Sequence, residues 1–273
     1  MYRCDYHLHT SFSPDCDTPM EKQIQKALEL GMDEVCFTDH LELNFRKWAG
    51  REIDVLACKK RFDELKEQTK GLTMRFGLEA GVTCGEDYMD ELKKNLRLVP
   101  LDFVIASAHG VGGTDPFEPE FYEGKTWEES CRFYVEGLYE GLKMMDPDFY
   151  CCVGHVDFPM KGRRILGDID AVFHYKYAAD QLDELFRYIV DQGKCLELNM
   201  SSFRTLKEGE RPQTDWLKRY VELGGEYITI GSDAHIPGHV NLLYDDALAL
   251  AKSAGVKYLA VFEEMKPKMI PIK

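Results

Sequence analysis

The chain contains no C-x-x-C pair, no apolar run long enough for a membrane span and no excess of basic residues, and each absence removes a class of protein. Without paired cysteines, the nine thiols Cys4, Cys16, Cys36, Cys58, Cys84, Cys131, Cys151, Cys152 and Cys195 do not read as a thiolate zinc site or a disulfide framework. Their odd number and their places inside apolar runs mark them as reduced, buried, small hydrophobes of a cytoplasmic protein. A bilayer span needs about 20 apolar residues, and no charged-then-apolar leader precedes the first strand-like run. With 34 basic against 48 acidic residues and a net charge of -14, neither nucleic acid nor an anionic membrane is expected as a partner. An anionic small molecule would need a local positive site. There is also no G-x-S-x-G elbow for a serine triad, and Gly110-Val-Gly-Gly113 lacks the spacing and lysine of a phosphate-binding loop.

What is present is an alternation of strand-like and helix-like segments. The first strand-like run, residues 2–6, leads into His7-Leu8-His9. Residues two apart on a strand face the same side, so both imidazoles can reach one point. After a polar loop, Thr18-Pro19-Met20-Glu21 has the form of a capping box with proline at the first helical position, and Gly31 ends that helix. Strand 34–38 ends at Asp39-His40. Helix 54–70 then leads to strand 73–78 and Glu79, and helix 86–98 to strand 103–108 and His109. Helix 126–145 precedes strand 150–154 and His155, and helix 171–192 precedes strand 195–198 and Asn199. A short helix near 215–223 leads to strand 227–231 and Ser232-Asp233-Ala234-His235, and residues 240–254 and 257–262 close the chain.

Strands that alternate with helices pair in parallel through right-handed crossovers, and seven or eight such units predict an α/β chain closed into a barrel. At 273 residues, one domain spanning 1–273 is expected. A closed barrel gathers all strand C-termini at one mouth. Six of the eight histidines, His7, His9, His40, His109, His155 and His235, then meet there, together with Asp15, Glu79 and Asp233. This nitrogen and oxygen donor set suits Zn²⁺, Mn²⁺ or Fe²⁺ rather than an all-oxygen Ca²⁺ site. Nine ligands exceed the needs of one ion, so a cluster of two or three is implied. Asp5, Asp39 and Asp157 stand beside ligands as candidate acceptors for imidazole N–H groups.

The segments Asp5-Tyr-His-Leu-His-Thr, Phe37-Thr-Asp-His40, Gly77-Leu-Glu-Ala80, Ser107-Ala-His109, Gly154-His-Val-Asp157 and Gly231-Ser-Asp-Ala-His235 resemble, in order and spacing, the motifs of the PHP (polymerase and histidinol phosphatase) superfamily. That resemblance implies a distorted, seven-stranded TIM-like barrel, (β/α)7, with a trinuclear divalent metal site at the C-terminal mouth. It assigns one ion to His7, His9, Glu79 and Asp233, a second to the bridging Glu79 with His109 and His155, and a third to Asp15, His40 and His235. Within the superfamily the chain is most similar to the histidinol-phosphate phosphatases, which implies hydrolysis of L-histidinol phosphate in histidine biosynthesis, with Asp15, Glu79, Asp233 and His235 catalytic. Asn199-Met-Ser-Ser-Phe-Arg204 departs from the Asn-Thr-Ser-Gly-x-Arg pattern of those enzymes, which leaves a nucleotide, sugar phosphate or phosphotyrosine as alternative substrate. A silent metal-binding scaffold is the alternative from outside enzymology. Divalent ions at the mouth would attract a phosphate monoester and activate water for attack on phosphorus. Arg163, Arg164, Asn199, Arg204 and His239 are the candidate substrate contacts, the arginines for their forked phosphate geometry. Asp15, or a water on its metal, is the candidate proton donor to the leaving group.

Overall fold

The computed structural model describes residues 2–43, 45–82, 86–167, 171–207 and 210–272, and for residues 46, 86, 87, 164 and 205 the backbone only. Its strands are β1 Cys4–Leu8, β2 Glu34–Leu41, β3 Thr73–Gly81, β4 Phe103–Ser107, β5 Cys152–Val153, β6 Cys195–Asn199, β7 Tyr227–Gly231, β8 Tyr258–Glu263 and β9 Lys266–Pro271. Between them lie the helices α1 Met20–Glu29, α2 Val55–Gln68, α3 Glu86–Leu96, α4 Trp127–Met144, α5 Pro159–Gly162, α6 Ala179–Asp191, α7 Gln213–Glu222 and α8 Tyr244–Ala254. The strands form one sheet in sequence order, parallel from β1 to β8, with β9 antiparallel to β8. Every residue of β1, β2, β4 and β6 is buried, as continuous apolar strands covered on both faces require.

Closure comes where the end of β7 meets β1. Leu8 bridges Ala234 in parallel, the Asp233 amide donates to the His7 carbonyl at 2.9 Å, and the His9 amide donates to the Ala234 carbonyl at 3.0 Å. At the other end, β8 pairs with the start of β7 and meets β1 through the Tyr6 hydroxyl, which accepts from the Phe262 amide at 2.6 Å. The result is the distorted TIM-like barrel expected from the sequence. Near the N-terminal ends of β1–β3, the hydroxyls of Tyr2 and Tyr6 and the Arg75 guanidinium converge on Glu34 at 2.5, 2.6 and 2.9 Å. That network satisfies a buried charge at the end of the barrel opposite the histidines.

Three local expectations are corrected. The helix expected over 171–192 begins only at Ala179, because Tyr175–Tyr177 form a single 3₁₀ turn and Ala178 has a non-helical backbone. The capping box at Thr18 does not form. Pro19 is the N-cap and the Thr18 hydroxyl donates instead to the His235 carbonyl at 2.7 Å, a tertiary bond that outcompetes the local one. Finally, residues after 262 turn back through Glu264 and Met265, both at positive φ, so the chain ends in the β8–β9 hairpin.

Candidate metal centre

Glu79, near the end of β3, is the hub of the barrel mouth. Its Oε2 lies 2.9 Å from His40 Nδ1, 3.1 Å from His7 Nε2 and 3.5 Å from His9 Nε2, while its Oε1 lies 2.9 Å from His155 Nε2 and 3.3 Å from His109 Nε2. Asp233 Oδ1 is 3.5 Å from His9 Nε2 and 3.6 Å from His235 Nδ1. Asp15 Oδ2 lies between His235 Nε2 at 3.3 Å and His40 Nε2 at 3.5 Å. The structure thus brings together all nine residues that the sequence nominates. Among the described residues three donor sets each fall within 4.8 Å: His9, His40 and His235; His7, His9 and Glu79; and His40, Glu79 and His109. His40 belongs to two of them, because it sits between Asp15 and Glu79.

A test of fit for divalent ions is available in the polar atoms left over. His7 Nε2, His9 Nε2, His40 Nδ1 and Glu79 Oε2 are fully buried, yet none has a hydrogen-bond partner of acceptable geometry among the described residues. Buried polar atoms without partners are costly, and four crowded at one point are what a cation-binding site presents when its donors face inward. The residues fit the metal ions.

Neighbours decide the charge states. Burial opposes protonation of His7, but Glu79, Glu197 and Asp233 outweigh it and raise its pKa well above the ordinary value. The same contest lifts His40 to about 10 through Glu79 and Asp15, and His109 to about 9 through Glu79 and Glu42. Burial and the nearby His235 and His40 push His9 well below the usual imidazole range, and burial with Lys161 takes His155 down to about 4. Against burial, the surrounding cations hold Glu79, Asp233 and Asp15 ionised far below the carboxylate range. Three carboxylates thus stay negative inside a crowd of imidazoles, and divalent ions can replace the imidazole protons there.

The carboxylates that orient imidazoles are not the expected ones. Asp5 accepts the backbone amides of His7, Ser232 and Asn241, Asp39 accepts from Thr10 and Ser13, and Asp157 accepts from Gln213. Glu197 takes that role for His7 Nδ1 at 2.6 Å, and Glu42 for His109 Nδ1 at 2.8 Å. Each stands two residues from a residue already singled out, Asn199 and His40, so the same period of two could have found them. Gly231 makes the first pair possible. A Cβ there would collide with Glu197 Oε1 and His7 Cβ, so any side chain would part β7 from β1. Asp233, two residues on, is held at φ 54°, a strained backbone for a residue other than glycine.

A cavity of about 680 Å³ opens over these donors. Arg204 and His239 line it as expected, and Arg204 also donates to the Ser232 carbonyl at 3.0 Å. Arg163 does not line it. Its side chain is buried and Nη1 donates to the Ala171 carbonyl at 3.1 Å. Asn199 is also buried below the cavity, donating from Nδ2 to Glu197 at 3.1 Å and Asp233 at 3.3 Å, so it supports these carboxylates. The Arg164 side chain lies outside the described residues. Lys161, not among the expected contacts, lines the cavity with its ammonium on Asp233 Oδ2.

Residues 5–201 match the PHP domain. The chain belongs to the PHP domain family. It is 30% identical to the histidinol-phosphatase of Lactococcus lactis subsp. lactis, covering 97% of this chain and 96% of that one. It is 26% identical to a probable histidinol-phosphatase of Clostridium acetobutylicum over 93% of this chain and 94% of that one. Among solved structures, that of the histidinol phosphate phosphatase from L. lactis, complexed with zinc, L-histidinol and phosphate, superposes with a TM-score of 0.85 at 28% identity and covers 97% of this chain and 98% of that one. A putative histidinol phosphatase of Listeria monocytogenes shares the PHP-type barrel at a TM-score of 0.74 and 20% identity, over 89% of this chain and 99% of that one.

Proposed function

We propose that this PHP-domain protein is a metal-dependent phosphomonoesterase that releases phosphate from L-histidinol phosphate, with the whole chain acting as one barrel unit. The observation that carries the reading is the Glu79 hub, where the buried Glu79 Oε2 and the His7, His9 and His40 ring nitrogens face one another without hydrogen bonds. The L. lactis structure, bound to zinc and to both products of that hydrolysis, supports it across nearly the full chain. His7, His9, Glu79 and Asp233 would hold one ion, Glu79 with His109 and His155 a second, and Asp15, His40 and His235 a third, zinc, manganese or iron being suited to such donors. When bound, such ions supply Lewis acidity, an activated water and neutralisation of phosphate charge.

The chain's own groups do the rest. Arg204 and Lys161, both near Asp233, present cations to the cavity and bind phosphate oxygens there. Glu197 and Glu42 accept the Nδ1 protons of His7 and His109, which turns the Nε2 atoms of both rings toward Glu79. Trp48, Phe117 and Phe158 wall the cavity and limit water around the ester. Asp15, held ionised between two imidazoles, is a poor proton donor and serves as a ligand. Among the described residues no helix is long and apolar enough to cross a membrane, and eight buried free thiols suit a cytoplasmic setting.

The test is a substrate panel on zinc-loaded protein, with and without chelator. L-histidinol phosphate should have the highest kcat/KM, and chelation should remove turnover of every ester. A higher kcat/KM for a nucleotide or sugar phosphate would transfer the assignment to that substrate, and turnover that survives metal removal would end the metal-dependent reading.

A further inference from the structure

Among the described residues four carboxylates line the cavity, and three of them, Asp15, Glu79 and Asp233, lie among the imidazoles. The fourth, Asp115, does not. It is 5% exposed, and its Oδ1 accepts the Phe117 amide at 2.8 Å. Its Oδ2 accepts from Lys47 Nζ at 3.2 Å, and the same ammonium stands 5.4 Å from the centre of the Phe117 ring. A primary ammonium therefore already has a fitted place in this wall, between a buried carboxylate and an aromatic face. The cation occupying it is the chain's own, on a flexible side chain that is 48% exposed, so the lysine is partly hydrated and readily displaced.

The wall runs without a break into the metal donors. Trp48 packs 4.7 Å from the His40 ring and 4.9 Å from Phe45, while Phe117 meets Phe158 at 5.5 Å and Phe158 meets His155 at 4.6 Å. Gly162 keeps the two sides together. A Cβ there would strike the Pro116 carbonyl, so only glycine lets the Lys161 segment close against the Asp115 loop.

We infer that Asp115 selects the substrate by receiving its ammonium group in place of Lys47, with the flat ring against Trp48 and Phe117. This inference rests on the proposed hydrolysis of an amine-bearing phosphate ester and adds the residue that recognises the amine. Once phosphate is anchored at the other end of the cavity, the tethered ammonium meets Asp115 at high effective concentration, which favours it over the solvated lysine.

The experiment compares wild type, Asp115→Asn and Lys47→Met on L-histidinol phosphate, on its des-amino analogue and on p-nitrophenyl phosphate, all zinc-loaded. The Asp115→Asn change keeps the oxygen that accepts the Phe117 amide but removes the charge, so the loop is preserved. Loss of a desolvated charge pair should lower kcat/KM for L-histidinol phosphate by roughly 30- to 1000-fold, chiefly through KM, and leave the two amine-free esters nearly unchanged. Lys47→Met should leave KM for L-histidinol phosphate equal or lower, since a competing cation is gone. Retention of the amine preference by Asp115→Asn, or an equal loss on all three esters, overturns the inference alone. A wild-type enzyme indifferent to the amine overturns the inference and the proposed substrate together.

Discussion

Glu79→Gln removes one negative charge from the point where five imidazoles converge and changes almost no volume. At about 3 Å and an effective dielectric near 20, a unit charge interacts with a neighbouring unit charge by roughly 5 kcal/mol. The glutamine oxygen keeps part of that as a dipole. Discounting by half leaves a loss of about 3 kcal/mol for each cation that Glu79 touches, or roughly 100-fold in affinity per ion. The variant and the wild type are equilibrated against graded free zinc, bound metal is counted by elemental analysis, and kcat on L-histidinol phosphate is taken at the highest zinc. The variant should hold less metal at every free concentration below saturation and turn over at least about 100-fold more slowly, with an unchanged far-UV spectrum. Full metal content at the wild-type zinc concentration, with kcat within about three-fold, would refute the hub.

Glu197→Gln weakens the bond that fixes His7 Nδ1 at 2.6 Å and should cost about 10-fold in zinc affinity, read by competition with a chromophoric chelator. An affinity equal to wild type would remove Glu197 from the site. Arg204→Ala should raise KM for phosphate esters by about 10-fold or more while moving kcat less, and an unchanged KM would show that this arginine serves only the Ser232 carbonyl. Away from the mouth, Arg219 holds the Asp183 carboxyl down to about 2 through hydrogen bonds of 2.8 and 2.6 Å. A carboxylate depressed in the fold stabilises it above the unfolded value near 3.9 and loses that contribution as pH falls toward 2. Because Arg219 is one-third exposed, solvent screens the pair and Asp183→Asn should lower the Tm only slightly at neutral pH. The Tm gap to wild type should narrow below about pH 4, and a gap independent of pH would mean the pair contributes nothing.

Local pattern carried much of this molecule. Continuous apolar runs are buried strands, and the helices expected from 126 and 54 start there, α4 behind a Thr126–Glu129 capping box and α2 behind Asp54, whose carboxylate accepts the Ala57 amide. Position at strand ends was also enough to nominate the donors other than Asp15, which lies in the loop after β1, because parallel strands in a closed barrel all finish on one side. Where a nearby partner in the fold competes with a local one, pattern misleads: Thr18 leaves its helix for His235, and Arg163 turns into the core toward Ala171.

Periodicity and covalent spacing, which act over a few residues, thus determined the order of strands and helices and the side of the barrel on which chemistry collects. Which carboxylate meets which imidazole was decided by tertiary structure alone. Glu197 reaches His7 across 190 positions because Gly231 lets β7 press against β1, and Lys161 reaches Asp233, and Lys47 Asp115, only after the loops have folded over the mouth. Hydrogen bonds and charge pairs act over a few ångströms, and those distances exist only once the barrel has closed.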